Sequence, residues 1–271
     1  MPDAAARDVI LYYSHVDTPA VRREVAALRA QLDGRYDIFV IGSCASPAAL
    51  RGIEAVPVRA YTLAELQALP YPGKMARFRP DDYIGYVDLA PMRFYLEQPR
   101  YEHYWIIEND VRYCGEWGTL FEELRTSEAD LLCTTVQRRA ENPGWAHWHT
   151  LGTGEVQVPP ERQLKGFIPF GRVSRRLFAA CDARYRAGWC GHSEVLWPTI
   201  ALEAGMRVED IGGDGNFTPP AWRGRHYYNA AQDWSLFPGT FVYRPCFTEQ
   251  EICGPSGRFP GWLWHPVKAS I

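Results

Sequence analysis

The sequence predicts an α/β fold in which a mostly parallel central sheet is flanked by helices and the C-terminal part is rich in loops. Short apolar runs typical of buried strands alternate with helical segments, and strands that are separated by helices pair in parallel. The chain has 271 residues, of which 46% are hydrophobic, and this is enough to bury a core. We expect a single domain over residues 1–271.

The first strand and helix are the best-marked elements of the N-terminal part. Residues 9–13 are all apolar or aromatic and predict a strand. A helix follows from Thr18 to Leu32, with Pro19 just inside its start and Gly34 just past its end, as is usual at helix boundaries. Two extended segments and one short helix follow, predicted at 36–41, 56–58 and 62–69.

The alternation continues in the middle of the chain. The pattern predicts strands at 101–107, 130–135 and 167–173, and helices at 119–124, 174–183 and 193–204. Residues 137–163 are rich in Pro, Gly, Trp and His and predict a functional loop, because loops of this length are uncommon in compact domains. After Asp210 the chain is mainly loop, and 241–243 is a candidate late strand.

Charge and hydropathy exclude several classes of partner. The net charge of −3 provides no basic surface for nucleic acid or for an anionic membrane. No stretch approaches the roughly 18–20 apolar residues of a transmembrane segment, and the apolar run at 9–13 is too short for a secretory signal peptide. We therefore expect a cytoplasmic protein that binds no nucleic acid.

The cysteine pattern argues against a zinc site and against a disulfide framework. The seven cysteines are odd in number and contain no Cys-x-x-Cys pair. They stand at positions 44, 114, 133, 181, 190, 246 and 253. We expect most of them to be buried, reduced thiols.

The most informative segment is the acidic end of the strand predicted at 101–107. Glu108-Asn109-Asp110 follows it directly, and in open α/β sheets ligands bind at the carboxyl ends of strands. Two carboxylates at i, i+2 with no basic neighbour before Arg112 suit a hard divalent cation such as Mg²⁺ or Mn²⁺. A solvated turn would show the same residues, so the spacing alone has low specificity.

A second acid stands at the start of the helix predicted at 193–204. Glu194 lies in its first turn, after Trp, Gly and His residues, and Ser193 is the expected N-cap. A carboxylate held there is a candidate general base for a hydroxyl group, and the helix start would favour its ionised form. The structural alternative is a simple charge–dipole interaction. Asp210 and Asp214 are the next candidates for the base.

An aromatic segment near the C-terminus contains His265 and Lys268. A neutral imidazole is a common metal ligand, and a lysine ammonium binds phosphate as a point charge. A segment with both groups is able to close over a metal-bound diphosphate. The structural alternative is an aromatic tail packed on the surface.

Together these segments resemble the glycosyltransferase A (GT-A) fold, which carries a D-x-D-like metal motif, a later acidic site and a C-terminal histidine. Glu108-Asn109-Asp110 matches the first motif, His192-Ser193-Glu194 resembles the second, and His265 resembles the third. The metal motif opens with Glu instead of Asp, and no Asp follows Glu194. Metal dependence and the identity of the base therefore stay open.

Three stretches of the sequence are also similar to a narrower group, the DUF3405 family. These stretches are 104–117, 168–174 and 265–268. The resemblance covers about residues 8–268 in layout. It implies a nucleotide-binding half at about 8–135 and an acceptor half with a closing tail at about 136–271.

The resemblance implies a glycosyltransferase that moves a sugar from a nucleotide-diphosphate sugar to a glycan or another hydroxyl acceptor, with Glu194 as the general base. A Mn²⁺ or Mg²⁺ ion would be held by Asp110, Glu108 and His265. The implied donor contacts are Tyr13, Ser14, His15, Asp88, Glu108, Asn109 and Lys268, with Tyr13 stacked on the base. The implied acceptor contacts are Trp145, Trp148 and His192. His147 and His149 form an alternative metal pair.

Two other functions stay open from the sequence. A nucleotidyltransferase uses a similar fold and cation, but it would want a Gly- and Arg-rich phosphate loop after the first strand, and residues 13–17 contain no glycine. A non-catalytic carbohydrate-binding protein is the second alternative, because the 10 Trp, 15 Tyr and 12 Phe offer flat faces that suit sugar rings. Acids at two expected positions favour the enzyme.

Overall fold

The fold alternates strands and helices along the part of the chain that the computed structural model describes, residues 8–43, 47–77, 87–253 and 260–268. The strands are β1 (Val9–Tyr13), β2 (Asp37–Ser43), β3 (Val58–Tyr61), β4 (His103–Glu108), β5 (Arg112–Tyr113), β6 (Leu131–Arg138), β7 (Leu164–Ser174), β8 (Val208–Asp210), β9 (Phe247–Thr248), β10 (Leu263–Trp264) and β11 (Val267–Lys268). The helices are α1 (Pro19–Leu32), α2 (Leu63–Gln67), α3 (Pro72–Arg77), α4 (Leu89–Glu97), α5 (Trp117–Leu124), α6 (Arg175–Arg186), α7 (Ser193–Glu203) and α8 (Glu249–Cys253).

Seven strands form the central sheet in the order β3-β2-β1-β4-β7-β6-β8. Four neighbouring pairs are parallel, whereas β7 runs antiparallel to both β4 and β6. Alternate residues of β1 enter different apolar clusters, with Val9 and Leu11 on one face and Ile10 and Tyr12 on the other. Because both faces are covered, β1 is apolar or aromatic throughout and fully buried. The predicted α/β fold with a mostly parallel sheet is confirmed.

Helix α1 forms where the sequence predicts it. The Thr18 hydroxyl accepts a hydrogen bond from the Val21 amide, and Pro19 occupies the first turn, where no amide donor is needed. Val25 and Leu28 are fully buried in the cluster that also contains the apolar residues of α5. Burying side chains of this kind stabilises a fold by about 1.5–3 kcal/mol each.

Strand β7 lies in the middle of the sheet, and residues at its start line the cavity described below. All eleven of its residues are buried, and it separates β4 from β6. Gly171 permits the close approach to β6, because a Cβ atom there would lie 2.5 Å from the Leu132 carbonyl oxygen. The start of this strand places Lys165, Phe167 and Ile168 beside the carboxyl end of β4.

Two local predictions are wrong. Ser193 is not the N-cap of α7, because His192 takes that position and its Nδ1 accepts from the Glu194 amide at 3.3 Å. Residues 241–243 do not form a strand: Phe241 makes only an isolated bridge to His265. The chain turns there instead, since the Tyr243 amide donates to the Ser235 carbonyl at 2.8 Å.

The C-terminal segment is held against the turn that follows β4. Strand β10 pairs antiparallel with β5, and β11 pairs in parallel with β9. The Val267 amide donates to the Asp110 carbonyl at 2.8 Å. These backbone contacts place His265 and Lys268 beside the acidic motif, 155 residues or more away along the chain.

The described cysteines have free thiols. Cys133, Cys181 and Cys190 are buried, as expected, and Cys114 and Cys246 are half-buried. Burial raises the pKa of the Cys133 and Cys181 thiols. Cys44 and the side chain of Cys253 lie outside the described residues. Among the helices that the structure describes, none is long and apolar enough to cross a membrane.

Candidate active site

A cavity of about 750 Å³ opens at the carboxyl ends of β1 and β4. These two strands are parallel neighbours, with Tyr13 in register with Glu108, so their last residues meet at one edge of the sheet, where ligands bind in open α/β folds. Its wall comes from the ends of β1 and β4, the start of β7, the start of α7, and residues 145–150, 234–244 and 265–268. The cavity thus joins most of the sequence motifs.

Glu108, Asp110 and His265 form the acidic cluster at the base of this cavity. Their possible ligand atoms all lie within 4.8 Å of one another. His265 Nε2 is 3.4 Å from Asp110 Oδ1 and 3.9 Å from Glu108 Oε2. The imidazole is oriented by its other nitrogen, since Nδ1 lies 2.8 Å from the Val242 carbonyl oxygen. Asp110 Oδ1 is buried and makes no hydrogen bond within the described residues, which fits a site for a divalent cation.

The charges in the acidic cluster are mutually dependent. Burial, followed by the negative charge of Asp110, raises the pKa of Glu108 to about 8. Burial also acts against the ionised form of Asp110, but His265 and Lys268 hold the pKa of this carboxyl well below its ordinary value. The two acids raise the pKa of His265, against the effect of its burial. Two carboxylates this close ionise together only beside added positive charge.

Lys268 supplies part of that positive charge. Its Nζ lies 2.5 Å from Asp110 Oδ2, and its side chain is 43% exposed. Arg112, by contrast, donates to the Asn109 and Val111 carbonyls and stays buried. Arg112 therefore fixes the turn after β4, and Lys268 is the cation of this cluster that reaches the cavity.

Glu194 stands apart from the acidic cluster but lines the same cavity. Burial raises the pKa of this carboxyl to about 7, although the charge of Lys165 and the Ile168 amide, which donates to it, act in the opposite direction. The expectation that the helix start would favour the ionised form is corrected, because desolvation outweighs it. A carboxylate with a pKa near 7 is well matched to proton transfer at neutral pH.

Lys165 is a cavity residue that the sequence reasoning missed. It is almost fully buried, its Nζ lies 5.5 Å from the centre of the Trp145 ring, and burial lowers the pKa of this amine to about 8. Lysine is almost never fully buried without a partner. A lysine within the apolar run that forms β7 was the signal available in the sequence.

Most of the predicted donor and acceptor residues line the cavity, but two do not. The lining includes Tyr13, His15, Asp88, Asn109, Trp145 and His192. The Ser14 hydroxyl donates to the Val16 carbonyl at 2.7 Å and is fully buried away from the cavity. Trp148 is also buried, with its indole nitrogen donating to the Asn142 carbonyl at 2.8 Å. Both side chains stabilise loops around the cavity.

Asp88 occupies the wall of the cavity as part of a buried ion pair. Its Oδ2 accepts from Lys74 Nζ at 2.5 Å and from the Tyr185 hydroxyl at 2.6 Å. Lys74 also donates to the Gly191 carbonyl at 3.1 Å. Asp88 Oδ1 is buried and has no hydrogen-bond partner among the described residues.

The candidate acceptor wall is built from stacked rings. The rings of His147 and His192 lie 4.3 Å apart at 22°, and Trp145 packs edge-on against both. Burial lowers the pKa of His192 to about 3, which keeps its imidazole neutral. The group of three metal-type ligands found in the described part of the chain is the acidic cluster, so a separate metal site on His147 and His149 gains no support.

The two reserve candidates for the base lie elsewhere. Asp210 is buried outside the cavity wall, where it accepts from the Val136 and Gly212 amides and from the Tyr227 hydroxyl at 2.8–3.0 Å. These contacts give it a structural role. Asp214 is exposed and does not line the cavity.

Comparisons with known proteins give weak likenesses to glycosyltransferases. No protein-family model matches the chain, so the resemblance to DUF3405 is not confirmed, and no curated protein matches it either. Core-mannan synthase A from Aspergillus fumigatus, in its Mn/GDP form, is 12% identical over 78% of this chain and 74% of its own, with a TM-score of 0.37. Glucosyl-3-phosphoglycerate synthase from Mycobacterium tuberculosis, in complex with Mg²⁺ and UDP, is 16% identical over 64% of this chain and 58% of its own, with a TM-score of 0.36. At these TM-scores the likenesses assign neither a substrate nor a mechanism to this chain.

Proposed function

We propose that this chain transfers a sugar from a nucleoside-diphosphate sugar to a hydroxyl acceptor. The observation that carries the proposal is one cavity with two different acid sites. Glu108, Asp110 and His265 cluster with a lysine at its base, and Glu194 stands separately with a pKa of about 7. Group transfer from a diphosphate needs both features: positive charge for the leaving group and a base for the acceptor.

The acidic cluster is the proposed diphosphate site. Its donor set of two carboxylates and an imidazole fits Mn²⁺ or Mg²⁺. Such an ion, held by Asp110, Glu108 and His265, would neutralise the charge that develops on the departing diphosphate. Lys268 is exposed enough to donate to a phosphate oxygen. In this proposal the half at about 8–135 binds the nucleotide, with Tyr13 and His15 on the cavity wall.

Glu194 is the proposed base. Its carboxylate takes the proton of the acceptor hydroxyl while that oxygen bonds to the anomeric carbon and the bond from this carbon to the diphosphate oxygen breaks. One base and one leaving group correspond to direct displacement with inversion. The half at about 136–271 supplies the acceptor wall, where Trp145 and His192 face the same cavity. Lys165 contributes a positive charge near Glu194.

Calorimetry with UDP and GDP, with and without Mn²⁺, tests the donor site. We expect Mn²⁺ to strengthen nucleotide binding, and Asp110→Asn to weaken it at least tenfold. Asp214→Asn is the matched control, because Asp214 is exposed and outside the cavity. Equal affinities for Asp110→Asn and the wild type would reject the donor site. If nucleotide affinity is unchanged in EDTA, the donor site binds without a metal ion, and its positive charge comes from His265 and Lys268 alone.

Glu194→Gln tests the chemistry, since it keeps the shape and removes the basicity. Nucleotide-sugar affinity should survive, while turnover falls by about 10²–10⁴-fold, the usual contribution of a general base. Glu161→Gln changes an exposed acid outside the cavity and should leave both quantities unchanged. Loss of both affinity and turnover in Glu194→Gln would indicate a structural role, and loss of neither would remove Glu194 from the mechanism.

A further inference from the structure

The mouth of the cavity carries two exposed aromatic side chains that the proposed function does not use. Trp234 is 73% exposed and Tyr243 is 44% exposed, and both line the cavity. Their rings meet edge to face, with centroids 6.2 Å apart at 61°. We call this pair the aromatic rim. It belongs to the loop 228–244, far in sequence from the acceptor wall around Trp145.

The loop that presents the aromatic rim is well ordered by its own hydrogen bonds. The Asp233 carboxylate accepts from the Ser235 amide at 2.8 Å, and the Ser235 carbonyl accepts from the Tyr243 amide at 2.8 Å. Ser235 and Leu236 are buried directly beside Trp234. The backbone that carries the exposed indole is therefore fixed by a buried turn.

The exposure of the Trp234 indole indicates a binding surface. Tryptophan has one of the largest apolar surfaces of any residue and stabilises a fold most when that surface is buried. An exposed aromatic cluster with polar surroundings is typical of a binding site. The neighbours of this rim are polar: the Arg244 guanidinium lies 5.4 Å from the Tyr243 ring centre, and Asp233 precedes Trp234.

The chemistry of the rim matches a sugar ring. A pyranose offers one face of C–H groups and an edge of hydroxyl groups, and an aromatic face flanked by hydrogen-bonding side chains complements both. Tyr228 and Phe237 of the same loop are also exposed, but they do not line the cavity, so the aromatic surface that meets the cavity is the pair Trp234 and Tyr243.

The size of the cavity limits how much of an acceptor fits inside it beside the donor. Its volume of about 750 Å³ lies within the roughly 300–1,000 Å³ that one small ligand fills. If a nucleoside-diphosphate sugar occupies the acidic end, only the reacting part of the acceptor has room beside Glu194. The rest of the acceptor must leave through the mouth, where Trp234 stands.

We propose that the aromatic rim of Trp234 and Tyr243 is an acceptor subsite that stacks on a sugar ring, so that the acceptor is a carbohydrate chain or glycoside. This inference rests on the proposed function. It adds the chemical class of the acceptor and the residues that bind the part of it outside the cavity.

The test uses p-nitrophenyl glycosides of glucose, galactose, mannose and N-acetylglucosamine, and the corresponding disaccharides, as acceptors for the full chain. In Trp234→Ala the acceptor KM should rise about tenfold, which corresponds to ~1.4 kcal/mol, while kcat changes much less and nucleotide-sugar affinity is kept. Trp234→Phe should recover part of the loss. The rim should also lower the acceptor KM more for disaccharides than for monosaccharides, so Trp234→Ala should raise the KM of disaccharides more.

Phe237→Ala is the matched control, because Phe237 is an exposed aromatic of the same loop that does not line the cavity. It should leave the acceptor KM unchanged. An unchanged KM in Trp234→Ala would overturn the inference, as would a loss of donor affinity, which would assign the rim to the nucleotide. Donor binding without transfer to any of these glycosides would also overturn it. If the wild type binds no nucleotide sugar, the proposed function itself fails.

Discussion

Two lysine–aspartate pairs border the same cavity and differ in their access to it. Lys74 and Asp88 are 2.5 Å apart with both side chains 0% exposed. Lys268 and Asp110 are also 2.5 Å apart, but their side chains are 43% and 12% exposed. The distances between the lysine nitrogen and the aspartate oxygen are equal, so the difference lies in the surroundings of each pair.

The surroundings decide what each pair is able to do. Lys74 is enclosed by the Gly191 carbonyl and by the Tyr185 ring, whose centre lies 4.7 Å from its Nζ. Neither charge of this pair can reach water, so separating them would leave an ion in an apolar wall. Lys268 is 43% exposed and is able to reach a ligand in the cavity, while His265 remains beside Asp110. The first pair therefore builds the cavity and the second is free to act in it.

Lys74→Met should produce the largest change in stability. It leaves the Asp88 carboxylate buried without its cation, which typically costs about 3–5 kcal/mol. Urea denaturation measures the free energy of unfolding. Adding Asp88→Leu should recover part of this loss, since no buried charge then remains unpaired. A loss no larger than the loss in Lys268→Met would mean that the two pairs are energetically alike, and the comparison would fail.

Lys268→Met should have the opposite profile. The free energy of unfolding should change less than in Lys74→Met, because Lys268 is 43% exposed and His265 stays 3.4 Å from Asp110 Oδ1. The affinity for UDP or GDP, measured by calorimetry, should fall by about 10–100-fold, because hydrogen bonds to charged groups contribute about 1.5–3 kcal/mol. Lys268→Arg, which keeps the charge, is the control and should retain most of the affinity. Unchanged nucleotide binding would assign Lys268 to packing alone.

The sequence predicts the helices, the strands and the acidic motif after β4. It does not predict which side chains from distant parts of the chain pair with the site residues. The boundaries of α1 follow from Thr18 and Pro19, and the strand before Glu108 follows from its apolar run. These signals are local, so they are readable without the fold. The family resemblance implies Asp88 as a donor contact, but nothing in the sequence indicates that Lys74 and Tyr185 enclose it.

The environment of Glu194 shows a second limit of sequence reasoning. Its position at a helix start predicts a stabilised negative charge, but desolvation is set by β7 and the surrounding loops, and it raises the pKa to about 7. Lys165 was missed for the same reason, because its neighbours in the chain are apolar and its charged partner comes from another element. The N-cap of α7 also depends on the orientation of the His192 ring.

Lys165 and Glu194 are a third lysine and acid at the same cavity, and the pH dependence of transfer tests how they interact. Glu194 must be ionised to accept a proton, and its pKa is raised to about 7. The rate should therefore rise about tenfold per pH unit below pH 7 and level off above it. Measuring kcat from pH 5.5 to 8.5 at saturating substrates checks this. A residual rate in Glu194→Gln that rises through the same range would assign the titration to another group.

Lys165→Met should move the midpoint of this pH profile upward. Lys165 lowers the pKa of Glu194 through its positive charge, so its removal makes ionisation of the carboxyl harder. This variant retains His265, which also lowers the pKa of Glu194. It also retains Glu108, whose pKa is raised by the charge of Glu194.

The expected shift is on the order of one pH unit or less, where one unit corresponds to about 1.4 kcal/mol of interaction between the two charges. Methionine keeps an unbranched side chain without the charge, and Lys165→Arg, which keeps the charge, is the control. A variant that only perturbs packing would lower the rate at every pH without moving the midpoint. A midpoint that stays in place or moves downward would therefore show that Lys165 does not lower the pKa of Glu194 in the way that Lys268 lowers the pKa of Asp110.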